Sequence, residues 1–331
     1  MKLLVVGGAG YIGSHMVQHL LAAGHAVVVA DNFSTGFADA LSAAGSPLVA
    51  ELDIADANAL SALFSAHRFD AVLHFASFIQ VGESVTKPGK YYANNLSATL
   101  TLLQAMLQAG VKRFIFSSTA AVYGDPAYLP IDEAHPKAPI NPYGRSKWMV
   151  EQVLEDFDRA YGLKSVCLRY FNAAGADPAG QLGERHAPET HLIPLVLQAA
   201  SGRRPAISVF GRDYATPDGT CIRDYIHVAD LVDAHALALA YLQQGNPSAA
   251  FNLGNGHGFS VQAVIDTARR VTGREVPLVD GARRPGDPPC LVADASQARS
   301  VLGWQPRFAD LETLVAHAWA WEQQWPWAAK R

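Results

Sequence analysis

Cysteine is scarce in this chain of 331 residues: only Cys167, Cys221 and Cys290 occur. They stand far apart and make no Cys-x-x-Cys pair, which excludes a disulfide framework and a cysteine-built zinc site. Long apolar runs are missing as well. No stretch reaches the roughly 18 to 20 apolar residues that a membrane-spanning helix needs. The apolar start Leu3-Leu4-Val5-Val6 is cut off by Gly7 and Gly8 before it could serve as a signal-peptide core. Neither charge dominates, since 26 Lys and Arg face 30 Asp and Glu for a net charge of -4. Without a basic stripe to follow a phosphate backbone, nucleic acid is excluded as a partner. These absences lead to the expectation of a cytoplasmic protein with reduced thiols. His15 and His19 are four apart on a predicted helix, but no carboxylate or third ligand stands near them, so no metal is expected.

What is present is a core-forming chain, 50% hydrophobic and 17% charged. Short β-branched runs alternate with longer segments of helical period through the first half. Strands are predicted at residues 2–6, 26–31, 48–51, 70–75, 113–118 and 165–170, and amphipathic helices at 14–23, 95–109 and 142–161. The predicted strands are apolar on both faces, as parallel strands covered by helices must be. The fold class is therefore α/β, a doubly wound parallel sheet of the Rossmann type followed by a smaller α/β substrate-binding domain. The texture changes after Tyr170, where residues 172–185 are rich in Gly, Ala and Pro. The domains are predicted at 1–172 and 173–331, with some later segments free to return to the first. Runs at 206–211 and 221–228 look like strands of the second domain, and the tryptophans at 319, 321, 325 and 327 like its cover. The cleft between the domains is the expected substrate site.

The first strand runs into Gly7-Gly8-Ala9-Gly10-Tyr11-Ile12-Gly13, and a helical pattern follows at once. Glycines at Gly7, Gly10 and Gly13 let the backbone turn tightly, approach a pyrophosphate and pack helix on strand, while the helix start offers unpaired N–H groups to the anion. Asp31 ends the second strand, where a carboxylate accepts hydrogen bonds from ribose hydroxyls and repels a 2′-phosphate. NAD is thus favoured over NADP. Asp53-Ile54 after the third strand could hold adenine, or Asp53 could cap a helix at 55–63.

Asn141-Pro142-Tyr143-Gly144-Arg145-Ser146-Lys147 reads as a helix start with Asn141 as cap and Pro142 in the first helical position. Tyr143 and Lys147 then share a face. An ordinary exposed helix can carry the same pair; what singles this one out is its company at the strand ends. A tyrosine of pKa near ~10 is almost wholly protonated at neutral pH, so a catalytic phenolate needs cations beside it. Lys147 and a nicotinamide ring are the expected ones, supplying roughly 4 kcal/mol for a depression of about three units. Ser117-Ser118-Thr119 ends the fifth strand at the carboxyl edge and makes Thr119 a candidate proton shuttle.

Together these residues resemble the extended short-chain dehydrogenase/reductase superfamily, and within it the nucleotide-sugar 4-epimerases. The likeness extends to His74-Phe75-Ala76, Val81-Gly82-Glu83-Ser84-Val85, Arg169-Tyr170-Phe171-Asn172, Arg223-Asp224-Tyr225-Ile226-His227-Val228 and Arg283-Arg284-Pro285-Gly286-Asp287, and so to nearly the whole chain. The resemblance implies a cofactor site of Tyr11, Ile12, Asp31, Asn32, Asp53, Ile54, Phe75, Ala76, Asn94, Lys147 and Phe171. It implies that Asn172, Leu192, Phe210, Arg223, Arg284 and Asp287 hold UDP, with Thr119 and Tyr143 facing the sugar. The implied activity interconverts UDP-glucose and UDP-galactose through a 4-keto sugar, and a homodimer through the helices at 95–109 and 142–161 is a further family expectation.

Three departures from the pattern matter. Ile79 replaces a lysine found near the cofactor phosphates in some relatives. Glu189-Thr190-His191 replaces an asparagine pair, leaving His191 either to bind nucleotide or to cap a helix. Leu291 replaces a tyrosine, which widens the pocket toward N-acetylated sugars. UDP-pentoses would use the same residues. A 4,6-dehydratase needs carboxylates just after the threonine, where this chain has Ala120-Ala121. A non-catalytic dinucleotide sensor would have no use for Thr119, Tyr143 and Lys147 together.

Overall fold

The computed structural model describes residues 1–284 and 287–324. Pro285 and Gly286 of the arginine motif, and Trp325 and Trp327, lie outside the described residues. In chain order the strands are β1 (Lys2–Val6), β2 (Ala26–Asp31), β3 (Leu48–Glu51), β4 (Ala71–His74), β5 (Arg113–Thr119), β6 (Lys164–Tyr170) and β7 (Asn172–Ala174). They continue as β8 (Ile207–Phe210), β9 (Ile222–His227), β10 (Ala249–Leu253), β11 (Gly258–Ser260), β12 (Leu278–Gly281) and β13 (Cys290–Leu291).

Seven of them form one parallel sheet in the order β10-β6-β5-β4-β1-β2-β3. Because side chains alternate along a strand, each strand feeds two cores. Leu3 and Val5 pack with Val27, Val29 and Leu73 under the helices Tyr11–Ala22 and Val228–Gln243. Leu4 and Val6 pack with Val28, Ala30 and Val72 under the helices Ala57–Ala66, Thr99–Gln108 and Pro142–Tyr161. Both faces are therefore dry, which is what the continuous apolar strand runs require. The strand order reverses between β1 and β4, and the crevice at that switch point is where such sheets take ligands.

The sheet has one strand more than the sequence pattern indicates. β10, well beyond residue 172, returns to pair in parallel with β6. The helix expected at 95–109 is also different, for it begins as a π-helical turn at Tyr92–Ala98 and becomes α-helical over Thr99–Gln108. The cap before the third helix is Asp56, which accepts from the N–H groups of Asn58 and Ala59, and not Asp53.

In the second half β7, β9, β11 and β13 form a small sheet, and β8 pairs with β12. Its own core joins the helices Leu192–Ala200, Val261–Thr272 and Leu311–Glu322 through residues such as Val196, Ile265 and Val315, with Trp319 packed among them. None of the described helices is long and apolar enough to cross a membrane.

A buried ion pair locks the long helix Pro142–Tyr161 to the sheet. Glu151 receives Arg169 Nη2 at 2.5 Å and the Ser118 hydroxyl at 2.5 Å, and both charged side chains are only 5% exposed. Arg169 also donates to the Tyr123 hydroxyl at 2.9 Å, and Tyr123 donates to Asn252 of β10 at 2.6 Å. Removing one partner of such a pair leaves a charge uncompensated, which costs about 3–5 kcal/mol. Glu151→Gln should therefore lower unfolding stability by about that amount in urea titrations, and a loss below about 1 kcal/mol would show that the pair does not bind helix to sheet.

Candidate active site

The glycine turn sits at the end of β1, and three glycines do three different things. Gly7 has φ +79°, and a Cβ there would lie 2.5 Å from the Ala76 nitrogen. A Cβ on Gly13 would lie 2.1 Å from the Gly7 oxygen, so helix and turn touch only because it is absent. At Gly10 the nearest protein atom would be 3.5 Å away, an ordinary contact, so this glycine leaves space on the open side of the turn. Beyond it Tyr11, Ile12 and Gly13 form the first helical turn, whose N–H groups have no acceptor within the helix.

The Tyr11 side chain is engaged within the protein. Its hydroxyl donates to the Gly175 carbonyl at 2.7 Å, and its ring meets His15 edge-on at 5.3 Å. Asp31 accepts from the N–H of Ala9 at 2.8 Å and of Phe33 at 2.8 Å, which ties the glycine turn to the end of β2. Burial raises its pKa from the ordinary carboxylate value. Each carboxylate oxygen has capacity for a second donor, so a ribose hydroxyl fits there. Asn32 donates to Asp53 at 3.0 Å, and Asp53 accepts from Ala55 N–H at 2.8 Å, forming a polar rim beside Asp31. The Ile54 side chain belongs to the core, so any contact it makes with adenine runs through its main chain or its edge.

The far wall comes from the chain after β4 and from the π-helical turn. Phe75 lies 4.9 Å from the His235 ring, and Ala76 is the residue against which Gly7 turns. Asn94 donates to Asn95 at 2.9 Å. Asn95 is buried and holds both the N–H of Phe78 at 2.9 Å and its carbonyl at 3.0 Å, while reaching Ser146 at 3.2 Å. It thereby fixes the π-helical turn to the helix of Tyr143.

That helix starts as its sequence dictates. The Asn141 side chain accepts from Gly144 N–H at 2.8 Å and Pro142 takes the first turn. Tyr143, Lys147 and Glu151 then fall at intervals of four on the face toward the sheet. Lys147 is 2% exposed, donates to Ser77 Oγ at 2.6 Å and to the Ser117 carbonyl at 2.8 Å, and lies 4.8 Å over the Phe116 ring. Burial pulls its pKa down to about 7, against the pull of Glu151. Tyr143 lines the cleft, and burial raises its pKa, with the hydrogen bond to Thr119 working the other way. The ammonium donates to Ser77 and Ser117, and the expectation that Lys147 and a nicotinamide ring together make the phenol acidic concerns the cofactor-bound protein. Without a further positive charge Tyr143 is a neutral phenol. Thr119 closes β5, and its hydroxyl also accepts from Ala121 N–H at 3.1 Å, so the two alanines continue as a tight turn beside the phenol.

The opposite side of the cleft carries the residues expected to hold a nucleotide. Asn172 donates to the Asp224 carbonyl at 3.0 Å, joining β7 to β9. Arg223 pairs with Asp287 and donates to the Ile222 carbonyl at 2.7 Å. The Arg284 guanidinium lies 4.0 Å from the centre of the Phe210 ring. Leu291 packs with Phe171, Ala120 and Trp148 around Val122, Tyr123 and Ile131, next to the turn after Thr119. Leu192 opens the helix Leu192–Ala200, and His191 precedes it without capping it by its side chain. His191 does stand at the cap position, its carbonyl accepting from Leu195 N–H at 3.2 Å, while its ring is held by Glu184 at 2.8 Å and Glu189 at 3.0 Å.

Sequence reasoning passed over Ser77, Asn95, Glu151 and Asp224. Asp224 accepts from the N–H groups of Asn255, Gly256 and Ala293 at 2.8, 3.1 and 3.1 Å, and burial raises its pKa to about 6. It gathers two loops around Arg223. The signal for it was present in the chain: a carboxylate inside a strand otherwise bound for burial has to find donors.

A dinucleotide turn at a switch point, with a tyrosine and lysine at the carboxyl edge, defines a class of NAD-linked enzymes on this sheet. Residues 3–254 match the NAD dependent epimerase/dehydratase family, and the chain belongs to it. It is 52% identical to the UDP-glucose 4-epimerase of Halalkalibacterium halodurans over 98% of this chain and 97% of that protein. Its fold is similar to that of the UDP-glucose 4-epimerase from Brucella ovis in complex with NAD, with a TM-score of 0.93, 48% identity, and coverage of 96% and 97% of the two chains. It is likewise similar to the UDP-Glc/GlcNAc 4-epimerase of Campylobacter jejuni, with a TM-score of 0.86, 47% identity, and coverage of 98% and 99%.

Lys147 gives a pH signature with a defined sign. Its folded pKa is about 7 against an ordinary lysine value near 10.5, so between those limits the unfolded chain binds the extra proton. Stability of the cofactor-free protein should therefore rise with pH from about 7 upward, by an amount on the order of 4 kcal/mol in the limit. Lys147→Met should remove that rise from thermal unfolding curves taken between neutral and alkaline pH. An unchanged slope in the variant would show that the ammonium is not desolvated.

Proposed function

We propose that the chain interconverts UDP-glucose and UDP-galactose by oxidising and re-reducing the sugar at C4, with NAD kept as its cofactor. The observation that carries this reading is the meeting of the Thr119 and Tyr143 hydroxyls at the carboxyl edge, one helical turn from Lys147 and next to a turn that contains no carboxylate. The relatives just described support it, being UDP-glucose 4-epimerases by name and about half identical along their whole length. When bound, NAD would supply the hydride acceptor and donor that the oxidation and re-reduction at C4 require. The residues present suit that cofactor: the open side of Gly10, the N–H groups of the first helical turn and the carboxylate of Asp31.

Tyr143 takes the proton of the sugar 4-hydroxyl, directly or through Thr119, and gives it back after the ring has turned. Because burial keeps the phenol neutral in the protein alone, it becomes a base only with the positive charge of an oxidised nicotinamide beside it. Lys147 contributes by position, fixing the Ser117 carbonyl and Ser77 at the cleft floor. Arg223 and Arg284 grip the pyrophosphate through paired hydrogen bonds, and Asp287 orients the first of them. With the nucleotide fixed, the pyranose is free to present either face.

Leu291 supports a wider substrate range, since a side chain smaller than tyrosine lies where the cluster of Phe171 and Ala120 meets the cleft. UDP-N-acetylglucosamine then enters as a second substrate. Ala120 and Ala121 offer no acid or base for eliminating water, so the dehydratase reading is set aside. The reading also includes a homodimer through the helical surfaces at 95–109 and 142–161, and a cytoplasmic location.

Tyr143→Phe should lower kcat for UDP-galactose by about 10² to 10⁴ while the purified protein keeps its NAD. Wild-type turnover in the variant, or a stable 4-keto-6-deoxy sugar as the product of the unaltered chain, would contradict the assignment.

A further inference from the structure

The segment between β7 and the helix Leu192–Ala200 brings together four side chains that the proposed reaction does not use. Glu184, His186, Glu189 and His191 each offer a donor atom, and these four atoms all lie within 4.8 Å of one another. His191 Nδ1 stands 2.8 Å from Glu184 and 3.0 Å from Glu189, and His186 Nδ1 stands 3.2 Å and 3.5 Å from the same two carboxylates. We propose that these four residues form a four-coordinate structural site for a divalent transition-metal ion of the zinc class.

Ligands about 2.0–2.2 Å from a tetrahedral ion are separated by about 3.3–3.5 Å, so the set needs only small adjustments to close around one. The chemistry of the donors selects the ion. Two imidazoles and two carboxylates suit zinc and its neighbours, whereas calcium and magnesium take shells of oxygen. Charge points the same way. Both glutamate side chains are only 6% exposed, so two negative charges share a dry site and need two positive charges to balance them. A dication supplies both at once. His186 Nδ1 is buried and makes no hydrogen bond, although a Glu184 carboxylate oxygen lies 3.2 Å away. A cavity of about 340 Å³ opens onto Glu184, His186 and Glu189 and gives an ion a way in.

The location makes the role structural. The His186 ring lies 6.4 Å from that of Tyr11, and the Trp321 indole donates to the Glu184 carbonyl at 3.0 Å. The site therefore binds the first helix, the connecting segment and the last helix into one unit, and it sets the position of Leu192. It departs from the expectation of no metal, which considered His15 and His19. Those two are engaged elsewhere, His15 with the Tyr11 carbonyl at 2.7 Å and His19 with Asp233 at 3.5 Å. The spacing Glu-x-His-x-x-Glu-x-His was legible in the chain.

The test uses the full chain without a polyhistidine tag, stripped with a chelator and then dialysed against zinc ions. Plasma mass spectrometry should find about one zinc per chain, and zinc-edge X-ray absorption should show four light ligands that include two imidazoles. Cobalt(II) in the same protein should give the intense visible bands of a four-coordinate ion. The double variant His186→Ala/His191→Ala should keep less than about a tenth as much zinc. Should that variant not fold, Glu189→Gln provides the comparison, with weaker zinc retention expected. Equal retention by variant and unaltered chain, a six-coordinate spectrum, or no zinc in the unaltered chain would overturn the proposal. None of these readouts depends on epimerase activity, so the proposal and the enzymatic assignment stand or fall separately.

Discussion

The site depends on one ammonium being kept out of water. Lys147 sits between the Ser77 hydroxyl and the Ser117 carbonyl, which is possible only if its helix lies at a fixed register against β5. The register is set one turn further along by Glu151, whose carboxylate receives Ser118 of β5 and Arg169 of β6. Tyr143, Lys147 and Glu151 form a single polar stripe on an otherwise packed face, running from the cleft mouth into the core. Lys147 and Glu151 are both buried, and each is matched accordingly: an ammonium held by two oxygens and a carboxylate with a full ion pair.

The same stripe separates positioning from chemistry. Lys147 is held in place by the Ser77 hydroxyl and the Ser117 carbonyl, one helical turn from the phenol. In the proposed reaction the phenol would become a base only with the cofactor bound, which would link proton removal to the presence of the hydride acceptor. Across the cleft Asp224 performs a comparable service, gathering the N–H groups of Asn255, Gly256 and Ala293 around the strand that carries Arg223. In the proposed reaction one wall would serve proton and hydride transfer and the other would grip the nucleotide, and each rests on a buried carboxylate, Glu151 or Asp224.

Much of this was legible in the chain because the signals were local. Apolar runs marked β1 to β6, the Asn141-Pro142 pair marked a helix start, and the glycines followed a strand directly. The missed features needed information from elsewhere in the sequence. β10 contains Asn252, which finds its partners at Tyr123, Ile131 and Glu133, so the strand does not read as a continuous apolar run. The π-helical turn at Tyr92–Ala98 carries no periodicity that would separate it from an α-helix, yet it is what lets Asn95 reach Phe78 and Ser146. Asp53 and Asp56 offer the same capping chemistry, and only the fold chooses between them. The spacing of Glu184, His186, Glu189 and His191 can be read from the chain, but they lie in a segment without regular structure, and only the fold shows that the four side chains converge.

The most direct measurement is the ionisation of Tyr143 itself, read as the ultraviolet difference between the unaltered chain and Tyr143→Phe, which isolates one phenol among 11 tyrosines. In the NAD-free protein the difference should show a phenol that stays protonated past the ordinary tyrosine value, and with NAD⁺ bound the ionisation should move toward neutrality. The same titration with and without NAD⁺ would contradict the account.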